Sequence, residues 1–71
     1  QTGTVLEINK ANNFVIVDLG QDAGIKMGDT FNVYRQGVPI ATIEVVQVRQ
    51  SLCAGDIKEE ITAIEAGDTV R

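Results

Sequence analysis

The segment Val38 to Gln50 sets the fold class through a fault in its own pattern. Ala41, Ile43 and Val45 share one face of an extended chain, with Thr42 and Glu44 opposite. Past Val45 the apolar positions become Val46 and Val48, and Gln47 and Arg49 oppose them. Strand side chains alternate with a period of two, so a constant register would turn Val46 and Val48 out to water. The slip at Val45-Val46 therefore predicts a bulge or a sharp bend. Long strands bent in this way are how small sheets curl shut. The expected fold is all-β: a five- to six-stranded curled sheet or barrel with one short helical turn.

Strand signals run along the rest of the chain. Val, Ile and Thr are frequent, and no window keeps an apolar stripe at helical spacing beyond two turns. Thr4 to Asn9 and Asn13 to Leu19 read as a hairpin around the polar turn Lys10 to Asn13. Gly20 ends the second strand, and Gln21 to Gly28 reads as a loop with a helical turn near its centre. Asp29 to Arg35 is the third strand, and Gln36-Gly37 is a tight turn with Gly where positive φ is cheap. Val38 to Gln50 is the fourth strand, with Pro39 at a strand end or edge because it lacks an amide donor. Leu52 to Ile57 is a weaker fifth strand, Lys58 to Glu65 reads as a loop with a short helical turn, and Thr69 to Arg71 adds a last strand.

Seventy-one residues, 44% hydrophobic and 23% charged, suit one small ordered domain spanning 1–71. The chain opens on Gln1 rather than Met and is read as a piece excised from a longer protein. Ten acidic against six basic residues give a net charge of −4, which disfavours nucleic acid and anionic membrane. No apolar run approaches the ~20 residues of a membrane-crossing helix, so direct membrane insertion by this segment is not expected.

Two segments repeat one pattern. Gly24-Ile25-Lys26-Met27-Gly28-Asp29-Thr30-Phe31 matches Ala63-Ile64-Glu65-Ala66-Gly67-Asp68-Thr69-Val70. Each holds an Ile, two intervening residues, Gly-Asp-Thr and an apolar residue that opens a strand. Physically this is a tight turn needing Gly28 or Gly67, capped by Asp29 or Asp68 accepting nearby amides. Both aspartates are expected to be structural.

The order of these features resembles a known domain. It comprises Val5, Asn13-Phe14-Val15-Ile16-Val17, Gly20, the Gly24 to Arg35 stretch, Gly37, Ile40 to Val45, Ala54-Gly55-Asp56-Ile57 and Gly67-Asp68-Thr69-Val70. The chain resembles the small β-barrel domain at the C-terminus of bacterial envelope proteins, such as that of flagellar assembly protein T. The resemblance implies a non-enzymatic module of a cell-envelope assembly, periplasmic or envelope-located, with the cytoplasm as the alternative. Members often carry Gly where this chain has Ala41.

Catalytic signatures are sparse. With no His, a His-dependent triad or a His-ligated metal site is impossible within this chain. Cys53 sits among Leu52, Ala54, Gly55 and Asp56 and reads as a small buried apolar residue. Gly20, Gly24 and Gly28 lack the Lys-Ser/Thr of a phosphate loop. Asp18, Asp22 and Asp29, and Asp56, Glu59 and Glu60, do not alternate as a calcium loop requires. No catalytic residue, metal or cofactor is assigned.

If Phe31, Val33, Val15 and Val17 point inward, then Phe14, Ile16 and Tyr34 point outward. They are expected to form a contact patch rimmed by Arg35 and Arg49, for a protein partner or self-association. The rival readings are a saccharide- or small-ligand-binding barrel, which three aromatics without Trp disfavour, and an accessory domain of an enzyme.

Overall fold

A computed structural model describes residues 2–71. Six strands follow in order: β1 (Gly3–Asn9), β2 (Phe14–Val17), β3 (Thr30–Arg35), β4 (Val38–Val48), β5 (Cys53–Glu60) and β6 (Thr69–Val70). One 3-10 turn, Gln21–Ala23, lies between β2 and β3. All pairings are antiparallel, and the ring β1-β2-β5-β4-β3-β6 closes because β6 bonds to both β1 and β3. The protein is a closed all-β barrel.

The interior is filled mainly by β-branched side chains, which suit a pleated, buried surface. Val5, Val15, Val17, Val33, Ile43, Val45, Ile64 and Val70 are almost fully withdrawn from solvent, and Cys53 lies among them. The inward set Val15, Val17 and Val33 matches the alternation in the sequence, and Phe31 packs against this core from a half-buried position.

Curvature comes from register shifts. In β4, Val45 pairs with Gly55 and Gln47 with Ala54, which leaves Val46 as the extra residue at the phase slip. The shift carries Val48 back toward the core, while Val46 itself stays outside at 38% exposure. Only half of the expected inward pair is thus inward, because a bulge absorbs one residue and that residue was Val46. Further shifts leave Leu6, Ile40 and Lys58 without direct partners.

The two matching sequence segments form matching corners. Gly28 and Gly67 take φ of 93° and 97°, where a Cβ would be strained. The Lys26 amide donates to Asp29 Oδ2 at 2.9 Å, and the Glu65 amide donates to Asp68 Oδ2 at 2.8 Å. Each corner then grips a strand. Gly28 N–H donates to the Val45 carbonyl, and Val45 N–H donates to that of Asp29. Gly67 N–H donates to the Val5 carbonyl, and Val5 N–H donates to that of Asp68. Each gripped valine directly precedes an unpaired residue, Leu6 or Val46.

These corners belong to a wider repeat. The first half runs β1, β2, corner, β3, and the second runs β4, β5, corner, β6. Exchanging β1 with β4, β2 with β5 and β3 with β6 leaves the bonded ring unchanged. The register obeys the exchange: Val5↔Val17, Glu7↔Ile16 and Ile8↔Val15 correspond to Val45↔Gly55, Gln47↔Ala54 and Val48↔Cys53. The topological two-fold passes through the Ile16–Ala54 pair on one side. On the other side it passes through the mutual amide bonds of Asn32 and Arg71.

Three local readings are corrected. Lys58 to Glu65 holds no helical turn, since residues 58–60 extend β5 and the chain beyond them is loop. The Glu60 carboxylate spans the start of that loop by accepting the Ile64 amide at its Oε2. The second strand stops at Val17, because the Asp18 carboxylate takes the Thr4 amide and diverts the ladder. The helical turn sits at the start of its loop, where the Gln21 and Asp22 amides bond to the Arg49 and Gln50 carbonyls. Gly20 permits that approach, since a Cβ there would stand 2.5 Å from the Arg49 oxygen.

The second corner carries an additional clamp. Arg35 donates from Nε to Asp68 Oδ1 at 3.0 Å and from Nη2 to Asp68 Oδ2 at 2.8 Å. The same Nη2 donates to the Ala63 carbonyl. The Arg35 hydrogen bond is the main cause holding the Asp68 carboxyl below its ordinary 3.8, against the opposing effect of burial. A carboxyl lowered in the folded state stabilises above its unfolded pKa, and that contribution fades as pH falls through the folded value. Asp68→Ala should therefore cost about 2–3 kcal/mol at neutral pH, and Asp29→Ala, with one side-chain bond, about 1 kcal/mol. Denaturant midpoints of both variants check the order. Asp68→Asn should also flatten the loss of stability below about pH 4.

Candidate functional site

Closure of the barrel decides which outward side chains meet. Phe14 and Ile16 lie on β2, whose neighbours are β1 and β5, whereas Tyr34 lies on β3 between β4 and β6. Phe14, Ile16 and Tyr34 all point outward as expected, but Tyr34 is not part of a patch with the other two. The reason is topological: β5 inserts beside β2, so consecutive strands β2 and β3 are separated around the ring. Tyr34 instead receives the Arg71 guanidinium over its ring, 4.5 Å from the centroid. Arg35 is held in the Asp68 clamp and does not rim Phe14 and Ile16.

What surrounds Phe14 and Ile16 is a cleft of about 400 Å³ lined with Val46, Gln47, Ala54 and Asp56. It lies on the outer face of β2, β5 and β4. Leu6, the other unpaired bulge residue, is 49% exposed on β1 next to β2. Leu6, Ile16, Ala54 and Val46 thus form an apolar band across four neighbouring strands, centred on the pair through which the two-fold passes. Sequence reasoning found Phe14 and Ile16 and missed Leu6, Ala54 and Val46. The available signal was the paired apolar dipeptides Val5-Leu6 and Val45-Val46: each bulge buries the first valine and turns the next residue out.

A second, larger cleft of about 580 Å³ adjoins the first, with Gln47 lining both. Its walls are the Gln21–Ala23 turn, the first corner and the end of β4. Ile25, Met27 and Val48 supply its apolar surface, and Lys26 and Arg49 stand at it as cations. Arg49 lines this cleft rather than the one beside Phe14 and Ile16, and Arg35 lines neither. The remaining predicted positions, Gly28, Asp29, Gly37, Gly67 and Asp68, are all turn elements; Gln36 and Gly37 make their tight turn at φ of 52° and 79°.

Among the described residues no three His, Cys, Asp or Glu side chains gather in a way that could hold a metal ion. No described helix is long and apolar enough to cross a membrane. Cys53 is 1% exposed, and burial first, then the charges of Asp18 and Asp29, raise its thiol pKa above the ordinary value. A thiol that is both covered and held protonated is a poor nucleophile. The chain matches no protein-family model and no curated protein sequence.

Cys53 gives a direct check on this geometry. Native protein should react with a thiol reagent at about the rate of global opening, and at full rate once denaturant is added. Fast labelling in native buffer would mean that β5 is not packed against Val17 and Val48.

Proposed function

We propose that the barrel is a non-enzymatic interaction module of a bacterial envelope assembly, and that it binds a protein partner through the apolar band of β1, β2, β5 and β4. The observation that carries this reading is the band itself. Two bulges place Leu6 and Val46 in water beside Ile16, Ala54 and Phe14. Neither side chain contributes to the core, and contiguous outward apolar groups with a polar rim are how contact surfaces are built. Ring closure favours side-chain burial over strand addition, since the paired strands present no continuous open edge. The envelope setting rests on the resemblance to the C-terminal barrel of flagellar assembly protein T.

The surface is tested with photo-crosslinking side chains placed at Leu6 and Val46, and at the exposed Asn32, on the opposite side of the two-fold, as control. Cross-links to a protein of the envelope fraction from the first two positions alone support the reading. Ile16→Ser should then weaken that partner by at least tenfold, about 1.4 kcal/mol, while Tyr34→Ala leaves it unchanged. Equal cross-linking from Asn32, or capture insensitive to Ile16→Ser, would reject the band as the contact.

A further inference from the structure

The two corners of the barrel have the same skeleton but carry different charges at matching positions. Lys26 opens the first corner where Glu65 opens the second. Gln47 follows the gripped Val45 as Glu7 follows the gripped Val5. Gln21 and Glu60 stand the same distance before the buried Ile25 and Ile64. Arg49 at the end of β4 corresponds to the neutral Asn9 at the end of β1. One corner thus carries Lys26 and Arg49, and its counterpart carries Glu7, Glu60 and Glu65, all exposed.

The cations are placed selectively. Of six Lys and Arg, Arg35 is paired with Asp68, Lys58 lies 3.5 Å from Glu44, and Arg71 stacks on Tyr34. Of the other three, Lys26 and Arg49 border the same cleft, in a protein of net charge −4. Asp22 and Asp29 are outside the lining of that cleft. Each corner also has a strongly exposed apolar residue at hand, Met27 at 70% and Ile61 at 82%.

We infer that the cleft of the first corner receives the acidic corner of a second copy of this chain, in a head-to-tail contact. Lys26 and Arg49 would meet Glu60 and Glu65, and Met27 would meet Ile61. Such a contact joins two different surfaces, so it propagates into a chain or a ring rather than stopping at a symmetric dimer. The cleft is small and its charges are solvated, so the contact is weak and sensitive to salt.

Sedimentation velocity over a concentration series tests it. The weight-average sedimentation coefficient of the unaltered protein should climb with concentration in about 0.01 M salt. It should return to the monomer value when the screening length falls to about 3 Å at 1 M. Lys26→Gln with Arg49→Gln blocks one surface, and Glu60→Gln with Glu65→Gln blocks the other. Each double variant should stay monomeric alone, and an equimolar mixture should form a dimer that grows no further. Thermal melts confirm that both variants fold. A wild-type monomer up to about 1 mM at low salt overturns the inference. So does association that either double variant retains, or a mixture that stays monomeric. Because the apolar band is intact in both variants, its cross-links distinguish failure of this contact from failure of the partner surface.

Discussion

Closure of the ring hangs on the Asp68 carboxylate. β6 has only two residues in strand geometry, yet it must bond to β1 on one side and β3 on the other. So short a strand has little ladder of its own. Its position is imposed by the corner that precedes it, where one carboxylate accepts the Glu65 amide and a forked pair from Arg35. Arg35 sits at the end of β3, so the clamp ties both flanks of the gap. Two charge-assisted bonds in one plane fix direction as well as distance, which a neutral pair would do less well.

The first corner does without this reinforcement and explains why the second needs it. Asp29 caps the same turn and grips Val45 in the same manner, but the strand that follows, β3, is six residues long and bonds along most of its length to β4. There the ladder holds the corner. In the second half the corner holds the ladder. The same Gly-Asp-Thr words serve both, and the difference lies in an arginine contributed from elsewhere in the chain.

Much of the fold was legible because its determinants are local. The slip at Val45-Val46, the Gly28-Asp29 and Gly67-Asp68 corners, the Gln36-Gly37 turn and the burial of Val15, Val17 and Val33 all depend on residues within a few positions of one another. The candidate surface was legible only in part. Which face Phe14, Ile16 and Tyr34 take follows from alternation, but which of them meet follows from strand order, and the insertion of β5 beside β2 has no local signature. Arg35 shows the same limit: its partner Asp68 is 33 positions away in sequence. Residues 58–60 were obscured because Lys58, Glu59 and Glu60 carry no apolar alternation, their strand state being set by pairing with β4.

The exchange of halves has a kinetic consequence. Within each half only one hairpin is bonded; the β2–β5, β3–β4, β1–β6 and β3–β6 ladders all run between halves. Apart from the β3–β4 hairpin, those ladders reward the chain only after distant segments have met. Loop-closure entropy must therefore be overcome before most of the core exists. Neither half encloses an interior by itself, which leaves no stable stopping point along the way. The barrel should assemble slowly for its size, in milliseconds to seconds, and in one concerted event.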